Sequence, residues 1–92
     1  MAAITDEQLR EEVERIVLAC LPDPLARLSE RGCEPPYEMA LLDEEGTAAT
    51  GLIDENGEGE VDFNWIPELP FTLTLVDPEN MKGERIEVCK TS

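Results

Sequence analysis

Apolar residues near the start of the chain recur at the spacing of one helix face. Thr5 followed by Gln8 has the pattern of a capping box, in which the two side chains bond each other's backbone amide. The recurring apolar residues are Leu9, Val13, Ile16, Val17 and Cys20. This spacing predicts a helix over 6–20.

A shorter second helix is predicted directly after the first. Pro22 and Pro24 interrupt the first helical pattern. Asp23 is predicted to be the N-cap, with Pro24 at the first helical position, where a missing N–H costs nothing. We expect this helix to end at Gly32, so the helical part of the chain covers 1–33.

From position 37 onward the pattern changes to short apolar runs divided by turn residues, which is typical of antiparallel strands joined by hairpins. Along one of these runs Val61, Phe63 and Trp65 alternate with polar residues, so one face of that strand should be buried. The predicted strands are 37–42, 47–53, 60–66, 71–76 and 85–90.

The two parts of the chain should complete one another. A helix pair with one apolar stripe needs a surface to cover, and a small sheet offers one. We therefore expect one domain over 1–92 of the α+β class: an N-terminal helix or helix pair packed on a small five-stranded antiparallel sheet or partial β-sandwich over 37–90. In the alternative, the helices pack on a partner or a second copy, and the strands close into a sandwich by themselves.

Residues 37–76 resemble the transthyretin-like or carboxypeptidase-regulatory-like β-sandwich modules. The likeness is carried by Gly51, Asp54, Asn56, Gly57, Pro70, Thr72 and Thr74. The N-terminal helices depart from that pattern, as do Glu58 and Gly59 where an aromatic residue is expected after the turn. The resemblance implies a non-catalytic module of the kind attached to enzymes, adhesins and the spikes of phage tails and type VI secretion.

Charge changes this picture most. The chain has 22 acidic and 7 basic residues, a net charge of -15, and no Lys or Arg between Arg31 and Lys82. Such a segment repels nucleic acid and anionic membrane, and it attracts basic protein surfaces or divalent cations. We expect a basic surface of another protein as the partner, with no direct nucleic-acid or membrane contact.

The residues predicted to bind this partner are acids around the third predicted strand and its neighbouring turns. They are Glu44, Glu45, Asp54, Glu55, Glu58, Glu60 and Asp62. Alternate positions on a strand project from one face about every 6.7 Å, so Glu58, Glu60 and Asp62 should form a row of anions. The alternative is an acidity shared by a whole salt-adapted proteome.

Common catalytic and metal-binding arrangements are not supported. The chain has no histidine, which removes the usual general base and the usual metal ligand. Residues 54–62 match a calcium loop at Asp54, Asn56, Glu58, Gly59 and Asp62, but Trp65 stands where a bidentate Glu is needed. An Asn-Gly turn with solvated acids is the favoured interpretation, and we expect no catalytic residue, no metal and no cofactor.

The expected compartment is the cytoplasm. No apolar run approaches the roughly 18 residues of a membrane span, and the first residues lack the features of a secretory signal. Three cysteines, Cys20, Cys33 and Cys89, fit no secreted framework and no zinc module, so reduced thiols are expected. A disulfide between Cys20 and Cys33 is the alternative in an oxidising compartment.

Two functional hypotheses of different classes follow. The first is an inhibitor or regulator whose anionic face occupies a basic nucleic-acid-binding surface, as in nucleic-acid mimics of the phage anti-CRISPR or anti-restriction type. The second is a transthyretin-like adaptor that docks into a larger assembly, such as a phage tail or secretion spike, through an apolar contact. A divalent-ion-binding domain is a third, and a dimer is compatible with each.

Overall fold

The computed structural model describes residues 5–89, in which two helices precede five strands. The elements are α1 (Asp6–Cys20), α2 (Pro22–Glu30), β1 (Tyr37–Asp43), β2 (Gly46–Ile53), β3 (Val61–Phe63), β4 (Phe71–Asp77) and β5 (Lys82–Val88). The strands form one antiparallel sheet in the order β3-β2-β1-β4-β5. The predicted α+β architecture, with N-terminal helices packed on a five-stranded antiparallel sheet, is confirmed. The alternative, in which the strands close into a sandwich by themselves, is excluded.

The start and end of α1 are those predicted from the spacing. The Thr5 hydroxyl accepts a hydrogen bond from the Gln8 amide at 3.2 Å, and the Thr5 amide donates to the Gln8 side chain at 3.0 Å. This reciprocal cap satisfies two amides that a helix start leaves unpaired. Val13, Ile16 and Val17 are the buried residues of the helix.

The prediction that Asp23 caps the second helix is wrong. Leu21 keeps helical angles (φ -69°, ψ -35°), so α1 runs almost directly into α2, which begins at Pro22 without a side-chain cap. Pro22 has no N–H that would need one. The helix ends at Glu30, two residues before the predicted end.

A Schellman motif closes α2. The Cys33 amide donates to the Leu28 carbonyl at 3.0 Å, and the Gly32 amide donates to the Ser29 carbonyl at 3.1 Å. Gly32 has φ +82°, the left-handed conformation that this motif requires and that glycine adopts without strain. Cys33 and Leu28 are both buried in the core, which is the apolar contact that accompanies the motif.

The strand bounds differ from the predicted ones mainly at β3 and β5. β3 is only three residues long, because the backbone amides of Asn64 and Trp65 turn to the Ala48 carbonyl, where β2 carries a bulge opposite β1. β5 begins at Lys82 rather than at position 85, since the preceding turn is completed by Met81 in a left-handed conformation (φ 57°). Position 90 of the predicted strand lies outside the described residues.

Both helices lie on one face of the sheet, which we call the inner face. At the β3 edge, the Arg10 guanidinium of α1 lies 5.4 Å from the centre of the Phe63 ring, within cation–π range. At the β5 edge, Glu84 accepts hydrogen bonds from Arg27 of α2 and from Arg31, the residue that follows the helix. The core between these contacts is closed by residues that include the fully buried Leu28, Leu41 and Ala49.

Asp77 is a buried carboxylate that joins two loops. It accepts hydrogen bonds from the backbone amides of Glu34, Glu79 and Asn80 and from the Asn80 side chain. The bond from the Asn80 side chain is the largest cause that holds the pKa of Asp77 below its ordinary value. The carboxylate thereby ties the α2–β1 linker to the β4–β5 turn.

Candidate functional site

The β2–β3 connection carries the densest group of acids, and it is folded as a closed turn. The Asp54 carboxylate accepts from the Asn56 amide at 2.8 Å and from the Glu58 amide at 3.0 Å, and the Asp54 amide donates to the Glu58 carbonyl at 2.9 Å. These bonds are those of an Asx turn. One Asp54 oxygen is thus occupied by amide donors, and no group of three potential metal-ligating side chains converges within residues 5–89.

After this turn the chain passes in close contact with β2. A Cβ atom on Gly59 would lie 1.9 Å from the Leu52 carbonyl oxygen, and one on Gly51 would lie 2.5 Å from the Glu60 carbonyl oxygen. Only residues without a side chain allow the two backbones to approach this closely. Glu58, Glu60 and Asp62, which we call the acidic edge, are held beside β2 by these contacts.

The structure separates the seven predicted acids into three locations. Glu44 and Glu45 form the β1–β2 turn, whereas Asp54 and Glu55 lie at the other end of β2. The eight residues of β2 at about 3.3 Å each put the two turns roughly 26 Å apart. The acidic edge runs along the side of β2. The seven acids therefore do not make one surface.

The prediction that Glu58, Glu60 and Asp62 form one row on one face is also wrong. Only Asp62 of the three lies in a regular strand, because β3 begins at Val61. Glu58 lines a cavity on the inner face next to α1, whereas Glu60 and Asp62 line a groove on the opposite face of the sheet. Two of the predicted acids are thus brought together, and the third points to a different surface.

That groove, the outer groove, lies on the face of the sheet opposite the helices. It has a volume of about 650 Å³, and its lining includes Glu38, Thr50, Leu52, Glu60, Asp62 and Val76. No helix or strand within residues 5–89 covers it. The difference between the two faces is clear at neighbouring residues of β2: Leu52 on the outer face is 54% exposed, whereas Ile53 on the inner face is 2% exposed.

Pairing across the sheet sets the chemistry of this face. One row runs from Asp62 through Thr50, Ala40 and Thr74 to Arg85, with one residue from each strand. The floor of the groove is therefore small and hydroxyl-rich, with acids at the β3 side. Glu38 faces Leu52 across β1 and β2, so a third carboxylate joins Glu60 and Asp62 there.

Within residues 5–89, no Lys or Arg lines the outer groove or forms an ion pair with its carboxylates. The two ion pairs among residues 5–89 both involve Glu84, which pairs with Arg27 and Arg31 at the other side of the sheet. Arg27 of α2 and Arg31 directly after it are therefore engaged with Glu84, on the inner face. The negative field of Glu38, Glu60 and Asp62 is open to solvent and to any positively charged surface that approaches.

A second concavity, the α1 cleft, lies between α1 and the β1–β3 half of the sheet. Its volume is about 260 Å³, and it is lined chiefly by apolar side chains, with Glu14 and Glu58 among the remainder. Leu18 borders it and is 51% exposed. α2 rather than α1 makes the close backbone contacts with the sheet, which leaves this gap beneath α1.

The end of the sheet that carries Glu44 and Glu45 is fixed by Trp65. Its indole N–H donates to the Asp43 carboxylate at 2.8 Å, and this bond is the largest cause that lowers the pKa of Asp43. The Glu45 amide donates to the other Asp43 oxygen at 2.8 Å. Asp43 thus joins the Trp65 side chain to the backbone of the β1–β2 turn.

Of the residues that line the outer groove, the sequence reasoning predicted only Glu60 and Asp62 as site residues, and it missed Glu38 and Leu52 among others. A signal was present for Glu38, because it alternates with the apolar Tyr37 and Met39 and so must face away from the core. Its proximity to Glu60 and Asp62 depends on the strand order, which alternation alone does not reveal.

The state of the cysteines and the length of the helices bear on the compartment predicted from the sequence. Cys20 and Cys33 are not joined by a disulfide. Neither helix described within residues 5–89 has the length and hydropathy needed to cross a membrane. Among known proteins, no family model, no curated sequence and no solved structure matches this chain.

Proposed function

We propose that this protein is a non-catalytic acidic binding domain whose outer groove receives the basic, nucleic-acid-binding surface of a partner protein, so that it acts as an inhibitor or regulator of that partner. One observation carries the proposal: Glu38, Glu60 and Asp62 surround an uncovered groove and have no cation beside them within residues 5–89. The nucleic-acid mimics of the anti-CRISPR or anti-restriction type are the functional class that this arrangement fits best.

The spacing of the carboxylates favours a partner that brings several cations. Strands two apart in a sheet lie roughly 10 Å from each other, so Glu38 and Asp62 are separated by about one Debye length at 0.1 M salt. Their mutual repulsion in the free protein is therefore moderate. A cation placed between them interacts with both at shorter range, and bound counterions are released when a partner replaces them.

The floor of the groove favours arginine over lysine as the contacting residue. Thr50 and Thr74 supply hydroxyl acceptors, and Leu52 supplies an exposed apolar surface beside the acids. A guanidinium forms paired hydrogen bonds to a carboxylate and packs its weakly hydrated faces against apolar groups. An ammonium group bonds a carboxylate as a compact point charge without this paired geometry, and its strong hydration disfavours apolar contact.

The proposal is tested with an oligo-arginine peptide as the probe. Titration calorimetry should show affinity that falls steeply between about 0.05 and about 0.3 M salt. Chemical shifts recorded during the same titration should change first in β1, β2 and β3 on the outer face. An affinity that is flat with salt overturns the electrostatic mechanism.

A matched pair of variants separates this surface from bulk charge. Glu38→Gln, Glu60→Gln and Asp62→Asn together neutralise the outer groove, whereas the control neutralises Glu44, Glu45 and Glu68 at one end of the sheet. Both variants remove three negative charges. The first should lose most of its affinity for the peptide and the control should keep most of it; equal losses overturn the assignment of the groove.

A second candidate function is the structural or adaptor module, and the exposure of Leu52 specifically favours it. Leu52 lines the groove and is 54% exposed, so it can supply an apolar contact to a partner. In that case Leu52→Asp should abolish assembly with the partner while the neutralised groove retains it. The opposite result supports the anionic mechanism.

A further inference from the structure

β5 is the edge strand on the side of the sheet opposite the acidic edge. It pairs with β4 on one side, and no strand within residues 5–89 lies on its other side. Such an edge leaves backbone N–H and C=O groups available to another strand, although at its start the Gly83 carbonyl already accepts a hydrogen bond from Arg31 at 3.1 Å. Along the outer face Gly83, Arg85 and Glu87 follow one another, and Glu84, Ile86 and Val88 follow on the inner face.

We propose that β5 pairs with β5 of a second copy of the chain, antiparallel and centred on Ile86, so that Arg85 of each copy lies opposite Glu87 of the other. The pairing joins two five-stranded sheets into one continuous sheet. It does not depend on the function proposed for the outer groove.

The charge pattern of the strand selects this register. In a two-fold antiparallel pair, each residue on the axis faces its own copy. An axis through Arg85 places two guanidinium groups together, and an axis through Glu84 or Glu87 places two carboxylates together, which destabilises the pair. An axis through Ile86 pairs an apolar residue with itself and produces two Arg85–Glu87 contacts.

Both charged residues are available for these contacts. Arg85 and Glu87 are exposed and face away from the helices. Within residues 5–89, Arg85 takes part in neither of the two ion pairs, and Glu87 accepts a long hydrogen bond from the Cys89 thiol at 3.6 Å. Charged residues on an edge normally discourage pairing, but here the two signs alternate in a self-complementary order.

The protein has a net charge of -15, but the charges of β5 balance and the acidic edge lies far from it. β5 itself contains Lys82 and Arg85 against Glu84 and Glu87, so its charges balance. The acidic edge is four strand spacings away, about 19 Å, which is roughly two Debye lengths at 0.1 M salt. Repulsion between the acidic edges of two copies is therefore largely screened.

Sedimentation equilibrium on charge-reversed variants tests the register. The native protein should show a reversible monomer–dimer equilibrium, and Arg85→Glu or Glu87→Arg alone should weaken the dimer by about tenfold or more, because each creates two like-charge contacts. Glu87→Arg is the more informative variant, because it makes the net charge less negative. If repulsion between the whole negative charges governed the dimer, this variant would therefore strengthen it.

An equimolar mixture of the two variants provides the decisive measurement. In the mixed dimer the glutamate introduced at position 85 faces the arginine introduced at position 87, and the native Arg85 faces the native Glu87, so association should return to the native strength. The double variant in one chain should also recover it. A native protein that stays monomeric at millimolar concentration, a mixture that does not recover, or variants that all dimerise equally would overturn the proposal.

Discussion

The indole N–H of Trp65 donates a hydrogen bond to the Asp43 carboxylate across 2.8 Å, and this bond joins the β3–β4 crossover to the β1–β2 turn. The crossover has to pass the end of the β1–β2 hairpin, because β3 and β4 lie on opposite sides of that pair. The ring also lies over Gly46, with its nearest carbon 3.8 Å from where a Cβ atom would be. The bond therefore fixes the connection that determines the strand order.

Trp65 is the only tryptophan, so its fluorescence should report the ionisation of Asp43 directly. Because the pKa of Asp43 is held below the ordinary value of 3.8, the bond should persist as pH falls to about 4 and be lost only below that. The fluorescence change should have its midpoint below 3.8 and be absent in Asp43→Asn. Circular dichroism on the same samples separates this step from global unfolding, and a midpoint at or above 3.8 contradicts the prediction.

The stability of the fold should also depend on Asp77 in the acid range. A carboxylate whose pKa is lowered by folding adds stability above its unfolded pKa of about 3.9, and that stability is lost as pH falls through the lower folded value. Asp77→Asn turns one acceptor into a donor that faces the donors of Glu34 and Asn80. Its melting temperature at neutral pH should fall by several degrees, and its stability should depend less on pH below about 4.

Asp62→Asn is the matched control for that experiment. It makes the same chemical change at an exposed position with no hydrogen bond from a side chain within residues 5–89. Its melting temperature should stay close to the native value. Equal effects of the two substitutions would show that Asp77 acts only through net charge.

Gly59 should tolerate no side chain, because the added carbon would overlap the backbone of β2. A Cβ atom there lies 1.9 Å from the Leu52 carbonyl oxygen, and backbone atoms cannot move aside as side chains can. Gly59→Ala should lower the free energy of unfolding by about 2–3 kcal/mol. Gly32→Ala meets nothing within 4 Å, and only its left-handed backbone should cost about 1 kcal/mol. Chemical denaturation of both variants gives the comparison.

Two leucines offer a test of which face of the sheet is the core. Leu28 of α2 is 0% exposed on the inner face, so Leu28→Ala should lower the free energy of unfolding by about 3 kcal/mol. Leu52 is 54% exposed in the outer groove, and Leu52→Ala should change it by no more than about 0.5 kcal/mol. A large loss in the second variant would mean that the outer groove is covered in solution.

Local sequence signals predicted α1 and the class of the fold. The Thr5 to Gln8 cap and the spacing from Leu9 to Cys20 depend only on neighbours in the chain, and both gave the observed bounds. The short apolar runs between turn residues predicted β1, β2 and β4 to within one residue at each end. These features are determined within one turn of helix or along one strand, so a single sequence contains them.

The candidate site could be predicted only in part, because it depends on contacts between distant segments. β3 ends early since Asn64 and Trp65 bond to Ala48, a partner that no local pattern identifies. Glu58 and Glu60 are directed to opposite faces of the sheet by the close passage of Gly59 along β2. The grouping of Glu38 with Asp62 follows from the strand order, which the sequence does not state.

The contrast between Gly59 and its two glutamate neighbours separates what the fold requires from what it merely permits. In a library of random variants selected for folding alone, position 59 should return glycine almost without exception, whereas positions 58 and 60 should drift freely among polar residues. If a later selection for biological activity restores acids at positions 60 and 62 but leaves position 58 variable, that result would identify the outer groove as the binding surface even before the partner is known.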